Sequence, residues 1–97
     1  MEETGIKDCV IEEICDLAKK YGVEKVILFG SRARGDYKRA SDIDLAASGG
    51  DILQFALAVD EETSTPLRFD IINLDEKICE ELWEAVRTEG RILYEKI

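Results

Sequence analysis

Apolar positions recur at helical spacing over the first part of the chain. From Asp8 to Tyr21, Val10, Ile11, Ile14, Leu17, Ala18 and Tyr21 fall on one side of a helix, and Gly22 is a natural stop. Val26-Ile27-Leu28-Phe29 is a short run, apolar on both faces and ended by Gly30, the pattern of a buried central strand. Arg32 to Ala40 is polar and reads as a short helical turn followed by a loop. From Asp42 to Ala47, aspartates alternate with aliphatic residues, as in a strand with one polar face, until Gly49-Gly50 breaks it. Asp51 is placed to cap a helix from Ile52 to about Glu62, with Leu53, Ala56, Leu57 and Val59 as its apolar side. Leu67 to Leu74 (LRFDIINL) predicts a third strand. Asp75 then caps a last helix, with Ile78, Leu82, Trp83 and Val86 as its buried stripe and Gly90 as its stop. Ile92-Leu93-Tyr94 predicts a short edge strand.

These elements define an α/β fold: a small mixed sheet of three strands plus a short edge strand, flanked by helices. The link between the first two strands is too short for a crossover helix, so they run antiparallel. The link between the second and third holds a helix, so those two run parallel through a right-handed crossover. The end of the first strand and the starts of the second and third therefore meet at one edge of the sheet. Gly30-Ser31, Asp42, Asp44 and Asp70 lie there.

Length and composition narrow the picture further. A chain of 97 residues has room for one domain, residues 1–97, around one modest core. At 45% hydrophobic and 36% charged residues it folds rather than staying disordered. No apolar run approaches a bilayer span, and no basic segment leads into an apolar one, so the expected location is the cytoplasm without membrane attachment. Cys9, Cys15 and Cys79 are odd in number and form no C-x-x-C pair, and the chain has no His. A disulfide framework or a zinc site is thereby disfavoured, and buried free thiols are expected. The net charge of −9 argues against broad attachment to nucleic acid. Within this acidic chain, Arg32, Arg34, Lys38 and Arg39 stand against Asp36 alone, a basic island of the size of a small anion.

Asp42 and Asp44, two apart on a strand, project from the same face. Carboxylates so close raise one another's pKa unless a cation lies between them. Asp70, near the start of the neighbouring strand, adds a third. An all-oxygen cluster of this kind suits Mg²⁺, which takes one or two protein carboxylates and completes its shell with water and phosphate. Gly30 at a strand end lets backbone approach a ligand closely, and Ser31 offers a hydroxyl and helix-start amides to phosphate. Arg32 and Arg34 can add charge-assisted contacts. Taken singly, Ser31 reads as a helix cap and each Asp as a turn or surface residue. Gly-Ser, ten residues, then Asp-x-Asp arises by chance at roughly two per thousand in a chain of this composition, which favours the joint reading.

The stretch FGSRARGDYKRASDIDL, Phe29 to Leu45, resembles the G-S-x10-D-x-D signature of the polymerase-β-like nucleotidyltransferase superfamily. Ala33-Arg34-Gly35 and Ser41-Asp42 resemble its minimal, MNT-type branch, and the resemblance runs from the first helix to the last. It implies a palm-like nucleotidyltransferase fold in which Gly30 and Ser31 hold the triphosphate of ATP and Asp42 and Asp44 ligate two Mg²⁺ ions. It further implies that Asp70 helps ligate one metal and acts as base toward an acceptor hydroxyl, which attacks the α-phosphate and expels pyrophosphate. Members of this branch are commonly paired with a small helical HEPN protein in toxin–antitoxin modules, where some adenylylate the partner. Larger relatives carry a further domain that shapes the acceptor pocket, so this chain is expected to rely on a partner or to bind without turnover. The acidic faces of the first and last helices, with Glu12, Glu13, Glu80, Glu81 and Glu84, are the expected docking surface for a basic partner. The competing readings are a non-catalytic module that neutralises a helical partner by contact and, less favoured, an aminoglycoside adenylyltransferase. Polymerisation of nucleic acid ranks last because of the negative charge.

Overall fold

The computed structural model describes residues 4–96; residues 1–3 and 97, the ends of the expected domain, lie outside the described residues. The elements run α1 (Asp8–Lys20), β1 (Lys25–Phe29), α2 (Ser31–Arg34), β2 (Ile43–Ser48), α3 (Ile52–Glu62), β3 (Phe69–Asn73), α4 (Glu80–Glu89) and β4 (Arg91–Glu95). The strands form one mixed sheet in the order β3-β2-β1-β4. β1 is antiparallel to both β2 and β4, and β2 is parallel to β3, as the link lengths require. Among the described residues, no helix is long and apolar enough to cross a membrane.

Side-chain alternation along the strands divides the core in two. Val26 and Leu28 of β1 and Ile43, Leu45 and Ala47 of β2 pack with α1 and α3, around the fully buried Phe55 and Ile14. Ile27, Phe29, Ala46 and Ile72 face the other way and pack with Val86, Leu82 and Ala85 of α4. Helices α1 and α4 thus lie on opposite faces of the sheet. The acidic faces of the first and last helices cannot join into the one docking surface expected of them, and Glu13 is in any case engaged by the Ser64 backbone and hydroxyl.

Three further expectations need correction. In α3 the buried stripe is Ile52, Phe55, Ala58 and Val59, whereas Leu53 is 69% exposed and Leu57 is also exposed. The segment ILQFALAV carries two apolar stripes, and burial of the larger Phe55 decides between them. Asp51 does cap α3, accepting from the Gln54 amide. Asp75, by contrast, does not cap α4: its carboxylate accepts from the Gly49 amide, tying the end of β3 to the turn after β2. Helix α4 starts later, with Cys79 at its cap position, and only Val86 of it is fully buried. The expected buried thiols are not buried either: Cys9 and Cys79 are exposed and Cys15 is intermediate, its thiol donating to the Leu93 carbonyl.

Candidate active site

The alternation that splits the core also sets the acidic residues. On β2, Asp44 shares its face with Ala46, and Asp42 sits just before the strand, which starts one residue later than the alternation suggests. On β3, Phe69 and Ile71 turn to the α1/α3 core, which leaves Asp70 on the face of Asp44. The parallel register pairs Asp44 directly with Asp70. Neighbouring strands stand about 4.8 Å apart, so the two carboxyls are close neighbours. Asp42 and Asp70 are exposed and Asp44 is half-buried.

Crowding leaves a mark on Asp44. Burial, then the charges of Asp70 and Asp42, push its carboxyl above the ordinary Asp value, with Arg34 opposing and Glu89 adding to the rise. Among the described residues, no three acidic or thiol side chains already stand together as ligands of one ion. The donor set nevertheless fits a hard divalent cation: it is all oxygen, and a cation would relieve the repulsion that raises Asp44.

Gly30 completes this edge. β1 ends at Phe29, opposite Asp44, and the chain turns at Gly30 with φ +79° into the short helix α2. A Cβ on Gly30 would land on the Asp44 carboxylate, so only glycine allows the turn and the acid to touch. At the start of α2, the Ser31 and Arg32 amides have no carbonyl one turn back to bond, leaving them for an external acceptor.

The two arginines differ. Arg34 is exposed and lies at this edge, paired with Asp36 at 3.2 Å and with Glu89 at 3.0 Å. Arg32, expected to contact phosphate, is only 2% exposed. Its Nε donates to the Ser41 carbonyl, its Nη1 to Thr4 and its Nη2 to Arg39, and the Tyr37 ring lies 4.8 Å from the guanidinium carbon. Three of its donors are thus spent on backbone carbonyls, two of them in the loop between α2 and β2. Arg32 therefore shapes the loop that delivers Asp42 and is not a phosphate ligand here. Replacing it by Met leaves three carbonyls without their charged donor and should cost about 3 kcal/mol or more. Arg32→Lys should fare little better, since an ammonium lacks the planar fork. Thermal unfolding that shows either variant as stable as the parent would refute this role.

Similarity to known proteins identifies the family. The family described as "Polymerase beta, Nucleotidyltransferase" matches residues 12–97. The chain belongs to the polymerase-β-like nucleotidyltransferase family. It is 35% identical over 104 aligned positions to a Methanocaldococcus jannaschii protein named "Putative protein adenylyltransferase", covering 96% of this chain and 98% of that one. Two crystal structures share the nucleotidyltransferase fold. One, of a toxin–antitoxin with AMP-PNP, has a TM-score of 0.71 at 24% identity over 89% of this chain and 73% of that chain. The other, a mutant of the toxin–antitoxin MntA-HpeT, has a TM-score of 0.70 at 22% identity over the same shares. In this nucleotidyltransferase the edge thus brings together Gly30, Ser31, Arg34, Asp42, Asp44 and Asp70, and sets Arg32 apart. It also adds Glu89, whose carboxylate accepts from the Gly30 amide at 3.2 Å. That residue lies 59 positions from Gly30, on the last turn of α4, and no periodicity or motif in the sequence points to it.

Proposed function

We propose that this nucleotidyltransferase is a magnesium-dependent protein adenylyltransferase, moving AMP from ATP to a hydroxyl of a small helical HEPN-type partner as the antitoxin of the pair. The observation that carries the reading is the register that sets Asp44 beside Asp70 at the edge where Gly30 turns into Ser31. The name of the archaeal relative and the toxin–antitoxin neighbours, one with a nucleotide analogue, support the donor and the kind of partner.

In this mechanism Asp42 and Asp44, with help from Asp70, would hold magnesium, which supplies charge stabilisation to the attacking and leaving oxygens. The Ser31 hydroxyl and the free amides at the start of α2 hold the triphosphate, and Arg34 neutralises part of its charge. Asp70 takes the proton of the acceptor hydroxyl. The oxygen then forms its bond to the α-phosphorus as the bond to pyrophosphate breaks, leaving AMP on the acceptor. For docking, α4 is the better candidate: Glu80, Glu81 and Glu84 are exposed beside a Trp83 that is 38% exposed. A basic helical partner fits that composition.

The test is incubation with labelled ATP, magnesium and the product of the adjacent gene, followed by intact mass. The partner should gain one AMP and should co-elute with this chain at low salt. Co-elution with no mass gain would leave a module that neutralises by contact alone. Separate elution without transfer would remove the partner from the reading.

A further inference from the structure

Glu89 closes α4, and an acidic residue at a helix C-terminus faces the negative end of the macrodipole. Its placement needs compensation, and the structure shows where that comes from. One carboxylate oxygen accepts from the Gly30 amide at 3.2 Å, and the other bonds Nη1 of Arg34 at 3.0 Å. The side chain is only 22% exposed, although its helix is largely solvated. A backbone amide at a glycine turn and an arginine at the same edge are the donors that a phosphate oxygen would use. Glu89 thus supplies an anion where the polyphosphate of the donor would sit, held by the same two groups.

We propose that Glu89 is a resident anion of the triphosphate cradle, which incoming polyphosphate must displace. The proposal rests on the reading of Gly30-Ser31 as that cradle. A carboxylate and a phosphate oxygen cannot both occupy the Gly30 amide and Nη1 of Arg34, so one leaves as the other arrives. Two consequences follow. The empty site keeps its turn and its arginine in place without ligand. Nucleotide binding also releases the end of α4, the helix with the acidic, Trp83-bearing surface, and so links the site to whatever docks there.

Calorimetric titration with Mg-ATP and with magnesium tripolyphosphate tests this on wild type, Glu89→Gln, Glu89→Ala and Asp16→Asn. Asp16 carries the same charge but is exposed on α1, across the sheet from the cradle. Both Glu89 variants should bind each ligand on the order of tenfold tighter, because a charge is removed a few ångströms from a polyanion. Asp16→Asn should stay within about twofold of wild type, its charge being remote and screened. Equal gains in the Glu89 and Asp16 variants would reduce the effect to bulk charge and overturn the proposal. A gain in Glu89→Gln alone would point to a new amide contact, and weaker binding in both Glu89 variants would show that the carboxylate only shapes the turn; either outcome overturns it. Wild-type binding without any gain sinks the exchange alone. No binding of either ligand by any of the four proteins sinks the cradle reading itself, and the exchange with it.

Discussion

Asp42→Asn combined with Asp44→Asn should abolish magnesium-dependent ATP binding while leaving the chain folded. Neither carboxylate anchors the fold: Asp42 is exposed ahead of β2, and Asp44 faces the open edge. Affinity should fall by more than about a hundredfold, since residues that merely orient metal ligands are already worth about ten- to a hundredfold. Stability should move the other way. The Asp44 carboxyl is held above its ordinary value by burial and by Asp70 and Asp42, so ionising it is harder in the folded chain than in the unfolded one. Such a group lowers stability at every pH above its folded pKa, and that cost disappears below the unfolded value. Without magnesium at neutral pH, the variant should therefore melt a little above wild type. The gap should close as the pH falls toward about 4, the ordinary Asp value. Calorimetry showing undiminished Mg-ATP affinity would defeat the proposed site. A loss of folded structure by circular dichroism would show that the aspartates serve the fold.

Asp70→Asn should separate binding from chemistry. It keeps the size and much of the hydrogen bonding of the side chain but removes the charge and the proton acceptor. Asp42 and Asp44 remain for the metal, so Mg-ATP affinity should change little. Transfer of AMP to the partner should fall by on the order of a hundredfold or more, the usual worth of a positioned general base. The exposed position of Asp70 argues that the fold will not be disturbed. Equal AMP incorporation in wild type and variant would mean that another group accepts the proton. A parallel loss of ATP binding would make Asp70 mainly a metal ligand.

The site was far more legible in the sequence than the helix packing was. Strand alternation has a period of two, so placing Asp42, Asp44 and Asp70 on one face needed only the parity of β2 and β3, and link length fixed their directions. A one-residue error in the start of β2 leaves that parity untouched, and this is why the carboxylates survive it. Helix faces are less forgiving where apolar residues outnumber the positions a stripe can bury. In α3, Leu53 and Leu57 compete with Ile52 and Phe55, and only the depth of the sheet behind them decides. The partners of Arg32 and Asp75 are hidden in the sequence for a different reason. Both bond backbone groups that are remote in sequence or set by loop conformation, the Thr4, Ser41 and Arg39 carbonyls in one case and the Gly49 amide in the other. Side chain to backbone bonds carry no residue-type signal at the far end, because every residue offers the same groups. Glu89 at Gly30 was invisible for the same reason.

The strand order also governs the order in which the molecule can assemble. β1 and β2 are close in the chain and pair in antiparallel fashion, whereas the other side of β1 waits for β4, with the Lys96 amide reaching back to the Glu24 carbonyl at 2.7 Å. Contacts of such long sequence separation return their energy only after the loop-closure entropy has been met, so they are slow to form. β2 can pair with β3 before β4 has docked, whereas Glu89, two residues ahead of β4, reaches Gly30 only once the end of α4 is in place. The turn at Gly30 is thus closed by a contact between residues 59 positions apart, one of the long-range pairs that local pairing of the strands cannot supply.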